Sequence, residues 1–326
     1  MIKKHPLIPL AIFLWLAFQI SCTDDNDSSI VVIKDKPIPE IIEIVGKINA
    51  DSIKNHMEFL ENMQTRFAFA PNRRKVAMDI LNKFKGFGYE DVVLDSFQLS
   101  KIYDGQEYNT WQYNVTATLQ GAYHPDSICI IGAHHDCIVQ LGNPFIFAPG
   151  ANDNASGVAV TLEVARALKL SNFTPKTTIR FVTFAAEELG LYGSKDYAKK
   201  AFERVEKIKM MLNNDMVANW DRNSDSTKWC VNIIDYANSV SLRHKAAFVC
   251  SSYTLLKSTN NNTNQTRSDS YPFYLYNYKA IFFISNANDG NYHTINDVSW
   301  VCNFRFCREV AKANCALLVM DNSVDF

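Results

Sequence analysis

The sequence carries no surplus of positive charge. Its 33 Lys and Arg are set against 34 Asp and Glu, for a formal net charge of −1. It therefore lacks the basic footprint by which a protein holds nucleic acid, and no nucleic-acid partner is expected. It also lacks an internal repeat, and its eight cysteines show no zinc-finger spacing. Its apolar run Leu7–Ile20 is about 14 residues, short of the ~20 that span a bilayer. Apolar residues themselves are not scarce: 47% hydrophobic and 12% aromatic content excludes a disordered chain. A length of 326 residues allows one α/β domain with a large core.

The N-terminus reads as an address. Lys3 and Lys4 precede the apolar run, which ends at Ser21-Cys22. A small residue before a cysteine at this place resembles a bacterial lipoprotein signal, although Gln19 and Ile20 replace the usual Leu-Ala type residues. The resemblance implies a signal peptide over 1–21, lipid attachment at Cys22 and a mature formal charge of −3. An uncleaved anchor helix is the alternative. Thr23–Ser29 is acidic and polar, and Pro37 and Pro39 follow, so 22–49 is expected to be a tether. The acidic stretch resembles the export signal of some surface lipoproteins, or is a plain solvated linker. The expected location is the cell envelope, lipid-anchored at the outer membrane. Seven cysteines remain beyond Cys22, an odd number. Cys129 is expected to be a buried free thiol, with at most one or two disulfides among the rest.

Beyond this, the pattern alternates. Asp51–Met63 and Asn72–Gly86 read as helices and Val92–Leu99 as a strand, together an N-terminal cover over 50–110. Strand signals at 113–119, 127–132, 178–184, 208–212, 229–234 and 280–284 alternate with helical spacing at 155–168, 191–202, 239–249 and 304–318. Such alternation predicts a three-layer α/β/α fold with a central, mostly parallel mixed sheet, as one domain over 50–326. Ligands gather at the carboxyl ends of such strands. His134, Glu187, Glu188 and Asp215 each fall just past a predicted strand.

Five phrases carry residues able to hold a metal: Gly132–Asp136, Gly150–Gly157, Ala186–Gly190, Leu212–Met216 and Tyr292–Asp297. Two histidines, several carboxylates, one bridging group and one unattached base make up the kit of a two-metal hydrolase. In this order the phrases resemble the M28 family of zinc aminopeptidases, over Trp111 to the C-terminus. The resemblance implies a zinc-exopeptidase-like fold and two Zn²⁺ per chain. His134 and Asp215 would hold one ion, Glu188 and His293 the other, and Asp153 would bridge them. Glu187 would be the general base toward a water held between the metals, and Tyr292 would steady the carbonyl oxygen or form a pocket wall. Asp136 and Asp297 would support the ligands, Asp136 by orienting an imidazole or substrate group. A cis peptide is expected at Asp153–Asn154. His135 reads as a wall or solvent residue, because strand-end neighbours point to opposite sides. Ser270 stands where the family often has His. Loops 216–220 and 255–266 are expected to shape the pocket, the second as a mobile loop.

The implied function is removal of N-terminal residues from peptides. A glutaminyl cyclase, a single-zinc acyltransferase on the same fold, is the alternative. Cyclases tend to have Trp where this chain has Tyr292, and tend to depart from the Asn152–Gly157 phrase. A non-catalytic surface binding lipoprotein is a third reading. Oligomeric state is not legible.

Overall fold

A computed structural model describes residues 38–323 of the chain. The expected signal segment, Cys22 and the tether up to residue 37 lie outside the described residues.

The helices are α1 (Pro39–Val45), α2 (Ala50–Glu61), α3 (Arg73–Gly86), α4 (Ser156–Leu170), α5 (Tyr192–Glu203), α6 (Val240–Tyr253), α7 (Ser270–Leu275) and α8 (Phe304–Asn322). The strands are β1 (Val92–Tyr103), β2 (Gln106–Leu119), β3 (His124–His134), β4 (Thr177–Phe184), β5 (Lys207–Asn214), β6 (Cys230–Ile234), β7 (Lys257–Thr259) and β8 (Ala280–Ser285). They form one sheet in the order β1-β2-β4-β3-β5-β8-β6-β7. Neighbours from β4 to β8 run parallel, while β2 meets β4, and β6 meets β8, antiparallel.

The pleat of β3 sorts the layers. Cys129 and Ile131 face a core shared with α1, α2, α3, α4, α6 and α8. Ile128 and Ile130 face a second core with α5 and α7. This is the expected three-layer arrangement. Helix α4 is buried almost all round, as a helix inside a large core must be.

Two N-terminal expectations change. The expected tether over 22–49 contains helix α1, whose Ile41, Ile44 and Val45 are buried. Pro39 read as a linker signal, but at the first helical turn its missing N–H costs nothing. The expected cover over 50–110 is helical only to Gly86. Strands β1 and β2 then form a long hairpin and extend the sheet. Its turn is Asp104-Gly105, with φ of 48° and 75°, the pairing that suits a two-residue hairpin loop.

A buried acid ties the N-terminal helices to the core. The Glu163 carboxylate, on α4, accepts from the Asn49 backbone N–H at 2.7 Å, from Ser52 Oγ at 2.6 Å and from Arg166 Nε at 2.8 Å. Burial alone would push its pKa up, but the contacts with Arg166, His56, Ser52 and Asn49 win and hold it down to about 2. Its contribution is therefore complete above the ordinary glutamate value of ~4.3 and fades as pH falls toward 2. The gap in unfolding free energy between wild type and Glu163→Gln should close by roughly 3 kcal/mol between about pH 5 and pH 2, read by urea denaturation. A gap that stays constant over that range would contradict this account.

Candidate metal centre

Three strand ends and two loops converge on one cleft. His134 is the last residue of β3, and Asp215 follows β5 directly. Glu187 and Glu188 lie three and four residues past β4, Asp153 in the turn before α4, and His293 in the loop after β8. Met216, Asn219, Arg267, Asp289 and Tyr292 complete much of the cleft wall.

The ligand atoms sort into two trios. His134, Asp153 and Asp215 form one, and Asp153, Glu188 and His293 the other, with the atoms of each within 4.8 Å of one another. His134 Nε2 is 3.3 Å from Asp153 Oδ1 and 3.4 Å from Asp215 Oδ1. His293 Nε2 is 3.1 Å from Asp153 Oδ2 and 2.8 Å from Glu188 Oε2. Tetrahedral ligands at ~2.0–2.2 Å from a zinc ion would be roughly 3.3–3.6 Å apart. Asp153 turns one oxygen to each trio, as a bridging carboxylate must. Glu188 Oε1, Asp215 Oδ1 and His293 Nε2 are buried without a hydrogen-bond partner. Buried polar atoms are rarely left so, and a divalent cation in each trio would satisfy Asp215 Oδ1 and His293 Nε2, which face the trios. Glu187 belongs to neither trio. Its Oε2 lies 4.0 Å from His134 Nε2.

The charges respond to the crowding. Burial pushes the Glu187 carboxyl well above the usual range, with Glu188, Asp269 and Asp215 adding repulsion against the pull of His134. Burial and Asp153 raise Glu188 to about 8. Burial opposes charge on His293, yet the carboxylates of Asp153 and Glu188 raise it to about 10. His134 is likewise raised well above its ordinary value: burial is outweighed by Glu187, Asp215, Asp136 and Asp153.

The supporting acids hold backbone more than rings. Asp136 accepts the N–H of Glu187 at 3.0 Å and of Glu188 at 3.2 Å. His134 Nδ1 lies 3.2 Å from the Asp136 carbonyl and 3.7 Å from its carboxylate. Asp297 accepts the N–H of Asn152 at 2.7 Å and of Asp153 at 2.9 Å. Asp153–Asn154 is cis, as expected. Asn154 Nδ2 donates to the Asn214 carbonyl at 2.9 Å, and a Cβ on Gly157 would stand 2.1 Å from that same oxygen. Only glycine lets the turn lie so close to the end of β5. The His135 ring is buried, with Nδ1 3.1 Å from Thr183 Oγ1, and it faces neither solvent nor the cleft. Tyr292 stacks on the His293 ring with centroids 3.7 Å apart, and burial with nearby Asp153 and Glu188 raises its hydroxyl pKa.

Several partners had no motif to announce them. Arg66 is buried and bonds four carbonyls: Nε to His135 at 2.8 Å, Nη1 to Leu60 at 3.2 Å and Pro149 at 2.8 Å, and Nη2 to Gly150 at 2.8 Å. It pins together the segments that present His134 and Asp153. Ser268 Oγ donates to Asp215 Oδ2 at 2.7 Å. Of the expected loops, Met216 and Asn219 line the cleft from one and Asn264 from the other. The second is not a loose loop. It contains β7, and Asn260 and Asn262 donate to Asp235 Oδ1 at 3.1 and 3.0 Å. Among the described residues every cysteine is free, including buried Cys129.

Residues 114–318 match the family model for Peptidase family M28. The chain belongs to peptidase family M28. A probable zinc metalloprotease of Pyrenophora teres f. teres (strain 0-1) is 32% identical over 198 residues, 56% of this chain and 42% of that protein. This chain thus spans less than half the length of that relative. An aminopeptidase from Aneurinibacillus sp. strain AM-1 superposes with a TM-score of 0.71 at 20% identity, over 86% of this chain and 96% of the other. A glutaminyl cyclase of Fimbriiglobus ruber superposes with a TM-score of 0.68 at 15% identity, over 83% and 95%. These two likenesses show the M28 fold and do not separate the two chemistries.

Replacing Arg66 by Met should leave buried carbonyls unpaired and cost at least ~3 kcal/mol of stability. Arg66→Lys, with fewer directed donors, should recover only part of this. Urea unfolding of the chelator-treated proteins measures both, and a loss under ~1 kcal/mol for Arg66→Met would show that the clamp is dispensable.

Proposed function

We propose that the protein is a two-zinc aminopeptidase. The observation that carries the reading is Asp153, which offers one carboxylate oxygen to each of two complete ligand trios. A single-zinc cyclase has no need of the second trio, so the geometry favours hydrolysis over cyclisation. His/carboxylate donors suit zinc. Zinc bound there would polarise the scissile carbonyl and bring the pKa of a water near 7.

The chain's own groups then divide the work. Glu187 is free of both trios and lines the cleft beside them, so it takes the proton of the attacking water and returns it to the leaving amine. Burial and the surrounding acids raise its pKa, and cations in the trios would offset those acids and bring it back toward the range of a working base. Tyr292 lines the same cleft with a hydroxyl held protonated, able to donate to the developing oxyanion. The acids around the cleft favour a substrate with a free N-terminal amine. Asp136 and Asp297 keep the reacting carboxylates in place through the backbone.

Metal analysis should find two zinc ions per chain, with stepwise release of N-terminal residues from a peptide mixture. Glu187→Gln should keep both ions and lose at least ~10²-fold in kcat. One zinc with cyclisation of N-terminal Gln would replace this reading by the cyclase. Metal-free protein that binds peptides without turnover would leave a binding protein.

Attachment to the outer membrane is a separate part of the proposal, supported by Lys3, Lys4, the apolar run and Ser21-Cys22. Cells fed labelled palmitate should label the wild-type chain and not Cys22→Ser. Equal labelling of the two would remove the anchor.

A further inference from the structure

One charge in the cleft has no role in the chemistry above. Asp153, Glu187, Glu188, Asp215 and Asp289 make the charged lining acidic, yet Arg267 lines it too. The Arg267 side chain is exposed, and among the described residues its guanidinium makes no ion pair or hydrogen bond. Its backbone is fixed: the N–H donates to the Asn264 carbonyl at 3.0 Å, and the next residue, Ser268, bonds Asp215. The charge acts toward Tyr292, whose hydroxyl it pulls back toward ionisation. Arg267 thus lines an acidic cleft one residue from Ser268, which bonds the ligand Asp215, and its guanidinium is spent on none of the acids.

Resting on the aminopeptidase reading, we propose that Arg267 recognises a substrate carboxylate lying just beyond the scissile bond. A guanidinium fork matches a carboxylate with two parallel hydrogen bonds, stronger than neutral ones. The cleft volume of about 360 Å³ is at the small end for ligand sites, which fits a short peptide. Two sources present this group. One is the C-terminal carboxylate of a dipeptide; the other is an acidic side chain at the second residue of a longer peptide. Either would give Arg267 the partner it lacks, and either makes the preferred substrate class anionic at its second residue.

Leucyl-glycine against its amide tests the first source, and leucyl-aspartate amide against leucyl-asparagine amide the second. In wild type, the acid should exceed its neutral partner in kcat/KM by about tenfold in at least one pair, and the ratio should fall as salt rises. In Arg267→Gln the ratio should fall to about one. The pair that shows the effect identifies the source. Ratios near one in both pairs of wild type, or a ratio kept by Arg267→Gln, overturn the proposal. The same four peptides are also titrated by calorimetry into the Glu187→Gln protein with and without Arg267→Gln, which needs no turnover. Acid-selective binding that depends on Arg267, without hydrolysis by wild type, would sink the aminopeptidase reading and keep this one. Hydrolysis with no acid preference does the reverse, and no binding of any peptide overturns both.

Discussion

Carboxylates crowded out of water set the terms for the rest of this structure. Asp153, Glu187, Glu188 and Asp215 line one cleft, while Asp136 and Asp297 bind the backbone behind it. A buried ionised carboxylate is tolerated only when paired, hydrogen-bonded or bound to metal. The two rear acids meet that demand with backbone N–H groups. The four in front do not, and Glu188 Oε1 and Asp215 Oδ1 have no donor. What the sheet, the turns and α4 achieve is to hold these acids together despite their repulsion. The same repulsion creates the demand for cations that the trios can satisfy.

That demand explains why the turns are so heavily tied. The Asn152–Gly157 turn is bonded to Asp297 at one end and to the carbonyl end of β5 at the other. Arg66 meets the His135 and Gly150 carbonyls from below. A buried guanidinium satisfied by carbonyls alone is unusual, since the pull of an opposing carboxylate is absent. Here the acids of the neighbouring segments are committed elsewhere, Asp136 to backbone N–H groups and Asp153 to the metal trios. The cation serves as a geometric clamp and leaves the cleft's negative charge untouched.

The site was far more legible in the sequence than its supports. His134, Glu188 and Asp215 stood out by type and by their place past predicted strands, whereas Asp153 and His293 were named through the resemblance to M28, since a turn aspartate or a loop histidine alone carries no signal. Arg66 could not stand out, because a lone arginine between two helices carries no spacing, and its partners are carbonyls that any residue supplies. Asp136 was found as a support, but its hold on the Glu187 and Glu188 N–H groups depends on a fold-level approach of two strand ends. The layered sheet followed from periodicity. Its β1–β2 edge followed in part: Val92–Leu99 and 113–119 read as strands, but their extension into the Asp104-Gly105 hairpin runs through half-exposed, weakly patterned residues. The α1 helix was masked by Pro39, whose meaning flips from breaker to starter with one residue of register. Asn260 and Asn262 looked like loop composition because their order comes from Asp235, about 25 residues away in sequence.

The same electrostatics bind metal occupancy to protons. Without cations, burial raises the Glu188 carboxyl, and the carboxylates of Asp153 and Glu188 raise His293, so the pair holds protons where a metal would stand. A ligand must shed its proton to coordinate. Loading the site therefore releases protons, and higher pH favours the loaded form. Glu187 follows another course, since it belongs to neither trio. A cation in each trio offsets the acids that surround it, lowering the cost of its ionisation, so the group becomes a usable base only once the site is filled. Metal binding and base activation are thus two consequences of one crowding. Arg267, with its charge at the cleft wall and no acid of its own, stands outside that exchange and is left free to act on whatever enters.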